Sequence, residues 1–133
     1  MILVDASVWI DFFREGRSTQ SQTLARCLGD SSVEVGMADL VLFEVMRGFR
    51  EGGLMREAQT LMSVLPQVEI GGTAPVLKAA ERYRQLRSQG RTAHSPIDVL
   101  LASYCMTHRI ALLHRDADFE SLKKLGGLET WPQ

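Results

Sequence analysis

The first thirteen residues constrain this chain more than any other stretch. Ile2, Leu3 and Val4 form an apolar run too short for a helix, Asp5, Ala6 and Ser7 follow at once, and then Val8, Trp9, Ile10, Phe12 and Phe13 fall at helical spacing. The pattern predicts a buried strand that runs directly into a helix. Ser7 is expected as the N-cap, which leaves Asp5 on the turn between strand and helix. Open α/β sheets bind their ligands outside the carboxyl ends of the strands, so Asp5 starts at a working edge.

The same alternation continues to the end of the chain. Thr19 to Leu28 reads as a helix stopped by Gly29, and Val33 to Gly36 as a second strand. Asp39 is expected to cap an apolar helix from Leu40 to Phe49. Gly52-Gly53 breaks that pattern, Leu54 to Leu65 makes another helix, and Pro66 ends it before a strand at Val68 to Ile70. Thr73 is expected to cap a long helix with Pro75 in its first turn and a core stripe of Val76, Leu77, Ala80, Tyr83 and Leu86. On that helix Arg82, Arg84, Arg87 and Arg91 read as a solvated face. Ser95-Pro96 opens the next helix, Ile110 to Leu113 is a fourth strand, and a last helix ends at Gly126-Gly127. Leu128 to Trp131 is a possible edge strand. This is the order of a parallel sheet covered on both faces, with no repeat and no linker, so residues 1–133 are expected to form a single domain.

Composition narrows the class without naming an activity. A chain of 133 residues can bury an adequate core without disulfides or a structural metal. No apolar run reaches the roughly 18 residues of a membrane span, and Met1 opens straight into a strand with no basic leader, so a cytoplasmic protein is expected. Cys27 and Cys105 lie in helical patterns and suit packed, reduced thiols. A net charge of −1 offers no long-range attraction to a polyanion, although 12 of the 15 basic residues are arginine, the side chain suited to forked phosphate contacts.

Four acids stand where acids are costly. Asp5 and Asp116 follow strands, while Glu44 and Asp98 interrupt the apolar stretches of helices. With right-handed crossovers, all four lie toward one edge of the sheet. Carboxylates gathered in a cleft raise one another's pKa, and no lysine lies near them in sequence, so a hard divalent cation such as Mg²⁺ or Mn²⁺ is the natural counter-charge. Each acid also has a bland explanation. Asp98 suits the first turn of a helix, Asp5 suits a turn, and Asp116 and Asp118 suit the start of the last helix. Glu44, set among Leu40, Val41, Phe43, Val45 and Met46, has no such local role.

These motifs carry a family resemblance. Ile2-Leu3-Val4-Asp5-Ala6-Ser7-Val8-Trp9-Ile10, Glu44-Val45-Met46-Arg47-Gly48, Asp98-Val99-Leu100-Leu101-Ala102 and Leu112-Leu113-His114-Arg115-Asp116-Ala117-Asp118-Phe119 together resemble PIN-domain proteins, specifically the VapC-type ribonuclease toxins. The resemblance covers essentially the whole chain. It implies a three-layer α/β/α domain with a mainly parallel central sheet of four to five strands. It also implies metal binding by Asp5, Glu44, Asp98 and Asp116, with Asp118 as an additional acid and Ser7 as a polar helper. Ala6 departs from the family pattern, which often has threonine there, and this removes a hydroxyl but no acid.

The implied activity is Mg²⁺-dependent endonucleolytic cleavage of RNA by a metal-activated water, with Mn²⁺ as the other candidate ion and products carrying 5′-phosphate and 3′-hydroxyl ends. Arg47, Arg50 and Arg91 are the candidate phosphate contacts. The resemblance further implies a VapB-like antitoxin that blocks the site, a homodimer, and no membrane partner. Two other readings stay open. A non-catalytic PIN-like binding module would be favoured by the loss of an acid, and none is missing. A Mg²⁺-binding two-component receiver should carry an acidic pair after its first strand and an aspartate after its third, whereas here Asp5 stands alone and Gly71-Gly72 fills the later position. His94, His108 and His114 lack zinc-ligand spacing.

Overall fold

Ile2, Leu3 and Val4 form β1 (Ile2–Val4), and all three are buried, as a strand covered on both faces requires. The computed structural model describes residues 1–90, 95–123 and 126–132, except for the side chain of Asp118. β1 pairs in parallel with β4 (Ala111–Leu113), Val4 lying opposite Leu113, and the Asp5 amide extends the ladder by donating to the Leu113 carbonyl at 2.9 Å. On the other side of β1, a parallel bridge joins Ile2 to Val35, and the Gly36 amide donates to the Ile2 carbonyl at 2.9 Å. Gly36 leaves room there for the side-chain ends of Met1 and Leu3. A Cβ at this position would stand 2.7 Å from Met1 Sδ and 3.0 Å from Leu3 Cδ2.

The expected second strand therefore touches β1 at one bridge, and the regular ladder starts beyond it as β2 (Met37–Ala38), which pairs in parallel with β3 (Gln67–Val68). The resulting order is β3, β2, β1, β4, and Thr130 makes a single parallel bridge to Leu112 at the outer edge. The chain thus builds outward from β1 to β3 and then crosses back to β4. Such a crossover, if right-handed, places the helices before and after β3 on opposite faces, giving three layers. The helix contacts agree: α1 (Ala6–Arg14) packs on α2 (Thr19–Leu28) and α3 (Asp39–Met46), and α3 packs on α4 (Gly53–Ser63). In the other group α5 (Thr73–Ser88) packs on α6 (Pro96–His108), which packs on α7 (Asp118–Lys123).

Several helix starts differ from the sequence reading. Asp5, not Ser7, is the N-cap of α1. Ala38 and Gly72 hold the cap positions expected for Asp39 and Thr73, each of which is the first helical residue instead. Asp39 is used elsewhere: its carboxylate accepts the Ile70 amide at 2.7 Å and fastens the start of α3 to the segment after β3. Ser95 does precede α6 with Pro96 at the first position, but without a side-chain cap bond.

The largest correction concerns α5. Its buried residues are Ala79 and Leu86, while Val76 and Leu77, expected in the core, are exposed. Arg82, expected in solvent, turns inward and donates to the Ser103 carbonyl at 2.6 Å, the Ser103 hydroxyl at 2.8 Å and the Thr107 hydroxyl at 2.7 Å. The helix is thus attached to α6 by an arginine as well as by apolar contact. Cys27 and Cys105 are both free and buried, and burial pushes the Cys105 thiol up to about 12. Among the described residues no helix is long and apolar enough to cross a membrane.

Candidate active site

Asp5 owes its position to three neighbours. Its amide is tied to β4, its carboxylate caps α1, and the Ser7 hydroxyl and amide donate to Asp5 Oδ2 at 2.5 and 3.3 Å. It is one of the few charged residues in the core, 5% exposed. Burial pushes its carboxyl up, the Ser7 and Ala6 hydrogen bonds pull it down, and the nearby Asp116 charge pushes it up again.

Glu44 reaches the same region from α3. The aromatic side chains of α1 set the spacing: Trp9, fully buried, stacks on Phe13 at 5.8 Å, and Phe13 meets Phe49 edge-on at 5.8 Å just beyond α3. The Glu44 carboxyl is pushed up by burial and then by the Asp5 charge, with Arg47 pulling the other way. Its Oε1 is buried without a hydrogen-bond partner. An oxygen in that position is poorly satisfied by the protein alone.

Asp116 lies three residues beyond β4 and is half-buried. His114, between β4 and Asp116, is buried against Phe119 with ring centroids 4.8 Å apart, and its Nε2 lies 3.3 Å from the Thr130 hydroxyl. Burial holds its pKa below the usual range, although Glu120 and Asp5 work in the opposite direction. Neutral imidazole is therefore the form at pH 7.

Asp98 occupies the first turn of α6 and is half-buried. α6 leads through a tight turn, with Arg109 in the left-handed region at φ 54°, into β4. A helix that doubles back into its strand in this way starts near the strand's carboxyl end, the edge where Asp5 stands. The electrostatic contacts that act on the acids join Asp5 with Glu44 and with Asp116. Among the described residues, no three His, Cys, Asp or Glu side chains are grouped tightly enough to hold a metal ion by themselves. By chemistry, the donors still suit a hard cation: they are carboxylate oxygens, partly desolvated, and one is unpaired.

Of the remaining expected residues, Asp118 opens α7 with its side chain outside the described set, and Arg91 also lies outside the described residues. Arg50 is exposed beyond α3, and Arg47 is exposed with its guanidinium 5.7 Å from the centre of the Phe43 ring. One contact escaped the sequence reading. Arg115 lies 3.6 Å from Asp11, whose carboxylate also takes the Ser18 hydroxyl at 2.6 Å, so the loop carrying Asp116 is braced on α1. No local pattern signals a pair separated by a hundred residues.

A family model described as PIN domain matches residues 2–125. The chain belongs to the PIN domain family. This PIN domain is 28% identical over 129 residues to ribonuclease VapC11 of Mycobacterium tuberculosis, covering 97% of this chain and 96% of that protein. Among solved structures, the DNA-bound VapBC of Salmonella typhimurium matches with a TM-score of 0.72 at 12% identity, covering 98% of each chain. VapC20 of Mycobacterium tuberculosis, described as a Sarcin-Ricin loop cleaving toxin, matches with a TM-score of 0.67 at 20% identity over 99% of this PIN domain and 100% of that chain. At those identities the structural matches speak for the shared fold.

Proposed function

We propose that this PIN domain is an endoribonuclease, the toxin of a type II toxin–antitoxin pair, acting in the cytoplasm and held inactive by a VapB-like antitoxin. The observation that carries the reading is the buried Asp5, pressed by the charge of Asp116 and itself pressing on Glu44, which has an unpaired buried oxygen. The relatives named ribonuclease supply the substrate class.

In this reading Asp5, Glu44, Asp98 and Asp116 hold Mg²⁺, or Mn²⁺, with Asp118 as a further acid. When bound, the ion supplies an activated water and charge stabilisation at the phosphate. The chain's own part is positional. Ser7 favours the charged form of Asp5 by donating to it, the Trp9 and Phe13 stack fixes α3 and so Glu44, and Arg47 offsets the negative charge that an approaching phosphate meets. Arg50, exposed in the segment beyond α3, offers a second cation. His114, neutral and buried, packs the loop to Asp116. A homodimer is the expected assembly.

The test is incubation of the purified protein with total cellular RNA, with Mg²⁺ and with EDTA, followed by end mapping. Internal cuts with 5′-phosphate and 3′-hydroxyl ends in the Mg²⁺ sample alone are expected. RNA left intact under both conditions overturns the proposal.

A further inference from the structure

The solvent side of α3 carries a ring that folding does not require. Val41 and Val45 of this helix are buried, each 1% exposed, whereas Phe43 is 57% exposed. One turn on, Arg47 lays its guanidinium 5.7 Å from the Phe43 ring centre, a cation–π arrangement on an open surface. Glu44, the next residue, is the acid that feels both Asp5 and Arg47. Arg47 therefore links the exposed Phe43 ring to the acid Glu44. Other exposed apolar residues, such as Val64 and Leu77, are aliphatic and offer no ring for a base to stack on.

We propose that Phe43 and Arg47 form a stacking platform for a base of single-stranded RNA, next to the phosphate presented to Asp5 and Glu44. The inference rests on the ribonuclease reading and adds a subsite to it. Single-stranded RNA exposes unstacked bases, and proteins hold them on aromatic rings and guanidinium planes while a cation meets the backbone. Phe43 provides the face and Arg47 the plane and the charge. Stacking is tolerant of sequence because every base has a π-face, so the platform holds the strand without selecting it. The guanidinium held against the ring suits a polyanionic strand better than a partner protein's apolar helix.

The test uses Phe43→Leu, Phe43→Trp and the exposed α4 control Arg56→Ala, assayed for cleavage of a fluorescein-labelled single-stranded RNA in Mg²⁺. Phe43→Leu should raise KM about 5- to 100-fold, the range for losing one stacked base, with thermal stability unchanged. Phe43→Trp should keep a KM near that of the wild type, as Arg56→Ala should. In EDTA, the fluorescence of Phe43→Trp, corrected for Trp9 and Trp131 with the wild type, should be quenched by RNA but not by an abasic phosphodiester strand. An unchanged KM in Phe43→Leu, or equal quenching by the abasic strand, overturns the platform. A wild type that leaves RNA intact overturns the ribonuclease reading instead, and quenching, which needs no cleavage, still decides the platform.

Discussion

The Ser7 hydroxyl lies 2.5 Å from Asp5 Oδ2, the oxygen that also receives the Ser7 amide as the cap of α1. One carboxylate thus starts a helix and is the most buried of Asp5, Glu44, Asp98 and Asp116. The hydrogen bond favours its charged form against the cost of burial.

Replacing Ser7 with alanine removes the hydroxyl donor and leaves the amide. The Asp5 carboxyl then moves further up, and the acid limb of the pH–activity profile moves to higher pH. A loss of up to about tenfold is expected at mildly acidic pH, as for one hydrogen bond to a charged group, shrinking as pH rises. Initial rates across a pH series test this.

Asp5→Asn and Asp98→Asn should abolish cleavage while retaining the fold, judged by circular dichroism. A wild-type rate in Asp98→Asn would show the site to be misassigned.

Glu44→Gln separates stability from activity. The folded-state carboxyls of Asp5 and Glu44 lie above their ordinary values of 3.8 and 4.5, so the folded protein binds these protons more readily than the unfolded chain. Their contribution to stability therefore falls as pH rises from those values, and it is restored as pH falls back through them. In EDTA at pH 7, Glu44→Gln should melt higher than the wild type, and the difference should close as the solution is acidified toward pH 4. With Mg²⁺ the order should reverse, because the wild type gains the ion's binding energy and the variant loses most of it. Melting curves with and without Mg²⁺ give both results.

Arg82→Met leaves the Ser103 carbonyl and hydroxyl and the Thr107 hydroxyl without their common donor. A cost of about 1–3 kcal/mol is expected in chemical denaturation.

Arg109→Gly should stabilise the protein slightly, by about 0.5 kcal/mol. A left-handed φ of 54° is unfavourable for arginine and free for glycine, and the glycine's greater unfolded-state entropy offsets part of the gain. Denaturant midpoints measure it.

The strand-helix alternation was legible because the sheet is parallel and buried: apolar runs such as Ile2-Leu3-Val4 and Leu112-Leu113 have no solvent side to interrupt them. Glu44 drew attention for the reason that the structure supports, a carboxylate in apolar company with an oxygen left unpaired. Helix starts were less legible. Asp5, Ala6 and Ser7 offer two good caps within three residues, and the ladder bond from the Asp5 amide to Leu113 decides between them. Arg82 was unreadable, since its side chain is long enough to leave the expected polar face of α5 and find acceptors on α6, a choice made by tertiary packing. The bracing of Arg115 on Asp11 was hidden by the same distance along the chain.

The pairing of β1 with β4 joins two segments more than a hundred residues apart in the chain. Asp5 and Asp116 become neighbours only once β4 docks beside β1, so the acidic site is a product of tertiary folding and no local segment carries it by itself.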